Sequence, residues 1–213
     1  MCGNLHWFQD SLRSFSEFSD IRDLYLLGQS DVTFNKLVSS CICRWGNLQI
    51  VHCPEISLDV DALAHLSRMP VLTQLSFKQI VVSPDCHSAL FFSDLLRLVL
   101  LQSPSLGPIS HLLSWIRLPV IEDLIAEFHN CPSRQDLASF FAGIQTSNTG
   151  HTMINLSLNH DIVRSEVPTL LLADIQPCMA FSNLHHICLS LKWNVCLTDS
   201  DVLEMAAAWP DLK

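Results

Sequence analysis

Met69-Pro70-Val71-Leu72-Thr73-Gln74-Leu75-Ser76-Phe77 is the stretch whose reading decides the fold. Its proline ends any helix that precedes it, because it favours an extended residue before it and cannot continue helical hydrogen bonds. Beyond Pro70 the apolar residues follow a fixed phrase: one, two variable positions, a second, one variable position, a third. Here these are Leu72, Leu75 and Phe77. The phrase recurs along the whole chain, at Ile21/Leu24/Leu26, Trp45/Leu48/Ile50, Leu95/Leu98/Leu100, Ile121/Leu124/Ala126, Met153/Leu156/Leu158 and Leu184/Ile187/Leu189. The proline junction recurs as well, at Leu118-Pro119-Val120-Ile121 and Trp209-Pro210-Asp211-Leu212. Asp61 to Pro70 also mirrors Asp201 to Pro210, with Leu63 matching Leu203.

The middle residues of the phrase fall at 24, 48, 75, 98, 124, 156 and 187, so the separations are 24, 27, 23, 26, 32 and 31 residues. Most of these sit in or just beyond the roughly 20–29 residue period of leucine-rich repeats. Between the phrases the apolar spacing changes to the helical period. Phe34, Leu37, Val38 and Cys41 share one face, as do Leu63 and Leu66 with Val60 close by. Ile109, Leu112, Leu113 and Ile116 repeat the pattern, and Leu137, Phe140, Phe141 and Ile144 do so again. Asp59 or Asp61, and Thr198 or Asp199, are the expected N-terminal caps of their helices. Each unit is therefore a strand, a turn and a helix that cannot bury its apolar face alone and must stack on its neighbours. The expected fold is α/β: a right-handed leucine-rich-repeat solenoid of about seven repeats, with parallel strands on the concave face and helices on the convex face. Residues 1–19 are expected to form an N-terminal flank or partial repeat, and 20–213 the repeat domain, C-terminally truncated. The longer fifth and sixth units are expected to carry insertions, for example over Gln145 to Thr152.

The second unit reads Leu48-Gln49-Ile50-Val51-His52-Cys53-Pro54-Glu55-Ile56-Ser57. It resembles the cysteine-containing subtype of leucine-rich repeat, in which a cysteine follows the strand and an Ile-Thr/Ser-Asp-like turn opens the helix. Leu197-Thr198-Asp199 matches the same turn, and the ending 201–212 is similar to fungal F-box/leucine-rich-repeat proteins. That resemblance implies the substrate-recognition region of a cullin-type ubiquitin ligase. No F-box is visible ahead of the repeats, and a Skp-type adaptor would be a partner only if one lies upstream. The alternative is a free-standing leucine-rich-repeat scaffold or inhibitor unrelated to ubiquitin.

Composition narrows the function classes. The chain has 213 residues, of which 49% are hydrophobic and 15% charged, with a formal net charge of −9. This disfavours a disordered chain, and it disfavours nucleic acid and anionic membranes, both of which need clustered Lys and Arg. Six glycines are few for an all-β protein. Ala89 to Leu101, the richest apolar stretch, is interrupted by Asp94 and Arg97 and is too short to span a bilayer. Met1 to Asp20 lacks the basic start and apolar block of a secretory signal. A cytoplasmic or nuclear protein with nine free cysteines is therefore expected.

In an arc of this kind the residues beside the strand leucines point outward. The candidate protein-binding residues are Asp23, Tyr25, Asn47, Gln49, Gln74, Ser76, Lys78, Arg97, Asp123, Glu127, Asn155, Ser157 and His186, continued by Asn159 and Ser190. Cys41-x-Cys43, His129-x-Cys131 and His185-His186 do not have the spacing of a zinc site, so no metal is expected. No phosphate-binding loop, dinucleotide fingerprint, nucleophile elbow or zincin motif occurs, and Glu122-Asp123 with Glu127 read as a solvated acidic edge. Neither a cofactor nor catalysis is expected. An enzyme with an unfamiliar site would have to be built on residues such as His129 or His186. Trp45, Trp115 and Trp209 fall at junctions or helix ends and read as packing.

Overall fold

The computed structural model describes residues 20–27, 31–81, 89–148, 152–160 and 168–213. The expected N-terminal flank, 1–19, lies outside the described residues. Seven strands form one parallel sheet: β1 (Asp23–Tyr25), β2 (Ile50–Cys53), β4 (Gln74–Phe77), β7 (Arg97–Ser103), β9 (Asp123–Phe128), β10 (Asn155–His160) and β12 (His186–Ser190). They lie side by side in chain order, each hydrogen-bonded to the next. Three short parallel pairs accompany the sheet: β3 (Leu58–Asp59) with β5 (Ile80–Val81), β6 (Leu90–Phe91) with β8 (Ile116–Arg117), and β11 (Thr169–Leu170) with β13 (Asn194–Val195). The class is α/β, as expected.

The connections carry the helices α1 (Val32–Ile42), α2 (Val60–Leu66), α3 (Leu106–Trp115), α4 (Arg134–Ser147), α5 (Leu172–Ile175) and α6 (Asp199–Ala208), with a 3-10 turn over Gln176–Ala180. Side chains at the ends satisfy the free backbone N–H groups of the first turn. Asp31 accepts from the amide of Phe34 at 2.7 Å, and Asp59 from that of Ala62 at 2.9 Å. Ser133 with Asp136, and Thr198 with Asp201, form reciprocal capping boxes. Of the paired candidates, Asp59 and Thr198 are the caps. The junction prolines fall just past helix ends: α2 stops four residues before Pro70, α3 four before Pro119, and α6 two before Pro210.

One apolar cluster joins the inward strand residues to the helices. It contains Leu24, Val51, Leu75, Leu98, Leu124 and Leu156 from the sheet, and Phe34, Val38, Leu63, Leu66, Leu113, Phe140, Phe141 and Ile144 from the helices. Trp45 and Trp209 are fully buried, whereas Trp115 is half-buried and packs edge-on against His111, with ring centroids 4.3 Å apart.

Two details depart from expectation. Val51, not Leu48, pairs with Leu24 and Leu75, so the second phrase is Leu48/Val51/Cys53, and Trp45 belongs to the end of the preceding helix. The first two separations become 27 and 24 residues. Cys53, fully buried, then fills the third apolar place and pairs with Phe77, which removes it from the position just after the strand. Of the expected insertion over Gln145 to Thr152, Gln145 to Ser147 belong to α4, and 149–151 lie outside the described residues. The fifth unit contains a 14-residue helix, and the sixth contains β11, α5 and the 3-10 turn.

A bulge interrupts β7. Leu100 pairs with Ala126 and Ser103 with Phe128, so β7 spends one residue more than β9 across that interval. Gln102 takes the left-handed conformation there, with φ of 53°, and its amide donates to the Glu55 carboxylate 47 residues away. That bond compensates part of the strain of a non-glycine residue at positive φ.

Candidate functional site

Because strand side chains alternate, burying one face of the sheet leaves the other open. β9 and β10 alternate half-buried and buried along their length. The parallel register aligns the open-face residues in rows. The first row runs Asp23, Ile50, Gln74, Arg97, Asp123, Asn155 and His186. A second, two residues on, runs Tyr25, His52, Ser76, Val99, Ile125, Ser157 and Cys188. Glu127, Asn159 and Ser190 form a shorter third row.

These rows bring together most of the residues singled out from the sequence. Asn47 and Gln49 do not join them. The three-residue displacement of the second phrase places both before β2, and Ile50 and His52 take the open-face positions. Asn47 instead donates to Asp20 at 3.4 Å. Lys78 follows β4 and is half-buried, its amide donating to the carbonyl of Ile56. Val99, Ile125 and Cys188 also stand in the open-face rows, although as weakly polar or apolar residues they do not mark themselves as surface positions in the sequence. Register, rather than polarity, is the signal that finds them.

Two chemical neighbourhoods divide the open face. Over β9 and β10 the polar groups satisfy one another: Asn155 donates to the Asp123 carboxylate, and Ser157 to the amide oxygen of Asn159. Over β1, β2, β4 and β7 lies an open pocket of about 260 Å³, walled by Tyr25, Ile50, His52, Gln74, Arg97 and Val99 and floored by Ser76. The Tyr25 and His52 rings meet at 5.8 Å between centroids and 47° between planes. Ser76 is only 4% exposed, and its hydroxyl has no hydrogen-bond partner among the described residues. Arg97 is exposed, and its guanidinium makes no ion pair or hydrogen bond within the described residues.

Elsewhere the titratable groups are dispersed. Among the described residues no three His, Cys, Asp or Glu side chains gather in a way that could hold a metal ion. His129 is exposed, while the neighbouring Cys131 accepts from the Trp193 indole at 3.3 Å. No disulfide joins any of the seven described cysteines. Burial pushes the Cys53 thiol up to about 12 against a weaker opposing hydrogen bond from Leu26, and burial raises Cys178 further. Cys43 is also raised, by burial first and then by Asp59 and Asp61. Among the described residues no helix is long and apolar enough to cross a membrane. Comparison with known protein families, with curated proteins and with solved structures finds no match to this chain.

Proposed function

We propose that this chain is a leucine-rich-repeat solenoid that binds a segment of another protein on the open face of its sheet and performs no chemistry itself. The observation that supports this most is the side-by-side order of seven parallel strands, in register apart from the bulge in β7, which fixes rows of outward side chains on a rigid support. Such a face can meet an extended partner strand by strand. Repetition of one strand-and-helix unit also accounts for the shared core, since each unit buries its apolar side against its neighbours.

In its specific form the reading makes the chain the substrate-recognition region of an F-box-type ubiquitin-ligase receptor. Its mechanism is then positional: the target is held while an associated ligase modifies it. This part rests on the resemblance of 201–212 to fungal F-box/leucine-rich-repeat proteins and of the Ile56-Ser57 turn to the cysteine-containing subtype of repeat. Cys53 no longer contributes, given its place in the apolar row.

The test uses a photo-crosslinking amino acid placed at Tyr25 or Asn155 on the open face, and at Lys36 or Ser139 on exposed helix positions. Adducts with the same partner should form from the face positions and not from the helices. The reverse pattern would put binding on the helical side and overturn the reading. A Skp-type adaptor should co-purify with the native protein. Its absence would favour the free-standing scaffold.

A further inference from the structure

We propose that the pocket between β1 and β7 is an anchor site for one side-chain carboxylate, from an Asp or Glu of the bound protein segment. The inference rests on the open-face reading above and names the chemistry that reading would recognise.

Three observations converge. First, the pocket holds donors that the fold leaves unused. The Ser76 hydroxyl is buried without a partner, and a polar group in that condition costs on the order of 1–3 kcal/mol unless something else satisfies it. The guanidinium of Arg97 and the side chains of His52 and Gln74 form no hydrogen bonds within the described residues. Second, the acidic neighbour of Arg97 does not pair with it. Asp123 stands directly beside Arg97 in register, yet its carboxylate accepts from Asn155 on the far side. Third, no acidic residue lines the pocket, although the chain as a whole carries a net charge of −9. A pocket whose one permanent charge is positive favours a small anion.

Size and charge decide which anion. At about 260 Å³ the pocket lies below the roughly 300–1,000 Å³ of small-molecule and cofactor sites, so a single side chain is the matching occupant. Arg97 is the one permanently charged group in the lining. Its planar fork matches a carboxylate with two parallel hydrogen bonds, and one positive charge balances one negative charge. A phosphoryl group, at about −1.5 to −2, would leave charge unbalanced on a row already flanked by Asp23 and Asp123. Ile50 and Val99 supply apolar walls for the aliphatic stem, and Tyr25, 59% exposed, stands at the entrance.

The experiment uses pools of N-acetylated, C-amidated heptapeptides whose central residue is fixed as Glu, Gln or phosphoserine and whose flanks are randomised. Capped ends ensure that only the side chain is tested. Binding to the whole chain is read by fluorescence anisotropy. The Glu pool should bind about tenfold or more tighter than the Gln pool, as expected for a hydrogen-bonded charge. Arg97→Gln should reduce Glu binding to the Gln level, and Ser76→Ala should weaken it about threefold, with thermal melting confirming that both variants fold. Equal binding of the Glu and Gln pools, unaffected by Arg97→Gln, would overturn the anchor while leaving open-face docking intact. Preference for the phosphoserine pool would overturn the carboxylate assignment. Failure of every pool to bind would also overturn the anchor, whereas the crosslinking pattern judges the docking face independently.

Discussion

Burial sets the chemistry of single residues here, and the cysteines show it most directly. Cys188 and Cys196 are exposed, whereas Cys41, Cys53 and Cys178 are buried. The fold holds the Cys53 thiol protonated up to about pH 12, while in the unfolded chain it ionises near 9. Between those values the folded state binds more protons than the unfolded one, so stability falls as pH rises. Cys178 adds a loss of the same sign. At pH 10 the Cys53 contribution amounts to about 1.4 kcal/mol relative to neutral pH. Urea denaturation at pH 8 and pH 10 should therefore show a drop that Cys53→Val reduces by about that amount. An equal drop in the variant would mean that the thiol is not held protonated by burial. The open-face residues were only partly legible from sequence. Arg97, Gln74 and Tyr25 follow from the phrase, because an outward position beside a buried leucine is fixed by strand alternation. His52 does not emerge from the phrase when Leu48 is its middle residue. The isolation of the Ser76 hydroxyl depends on what its neighbours leave unfilled, which no local pattern records.

Individual elements are held by devices with separable costs. α4 is capped by Ser133, whose hydroxyl accepts from the Asp136 amide at 3.1 Å while the Asp136 carboxylate accepts from the Ser133 amide at 2.8 Å. Ser133→Ala should lower stability by about 1 kcal/mol, measured by denaturant midpoint. Loss within error would show that solvent replaces the cap at no cost. In the same helix, Gly143 faces α3 so closely that an added Cβ would lie 3.1 Å from Leu113 Cβ and 3.3 Å from the Ser110 carbonyl oxygen. Glycine is costly inside a helix, and here close approach of two backbones gives the reason for it. Gly143→Val should destabilise by about 1–3 kcal/mol through overpacking, and an unchanged melting temperature would contradict the packing. Legibility of the elements follows the same physics. Helix faces such as Leu137, Phe140, Phe141 and Ile144 were readable because all four are buried at helical spacing. The register of β2 was not, since Trp45/Leu48/Ile50 and Leu48/Val51/Cys53 both satisfy the phrase. What separates them is that α1 runs to Ile42 and leaves Trp45 to pack at its end. The β7 bulge had no sequence signal, because Gln102 carries none of the usual marks of a left-handed residue.

At the scale of the whole molecule, burial is graded along the sheet. The inward residues Leu98 and Leu100 of β7, Leu124 and Ala126 of β9, and Leu156 and Leu158 of β10 are all buried. Their counterparts on β12, Ile187 and Leu189, are only half-buried, and α6 buries none of its own residues, with Leu203 72% exposed. Trp209, just past α6, is the tie: it is buried, and its indole donates to the Cys178 carbonyl at 3.2 Å. In a chain whose elements contact chiefly their neighbours, local stability follows local burial instead of averaging over the molecule. Native hydrogen exchange should therefore be slow in β9, β10 and α4 and fastest in α6. Trp209→Ala removes the anchor of this last segment, so it should accelerate exchange across α6 and the preceding 3-10 turn. Protection in α4 should remain unchanged. Uniform loss of protection, reaching β9 and α4 alike, would mean that the sheet opens as a single cooperative body. The stacked-unit account of its stability would then fail.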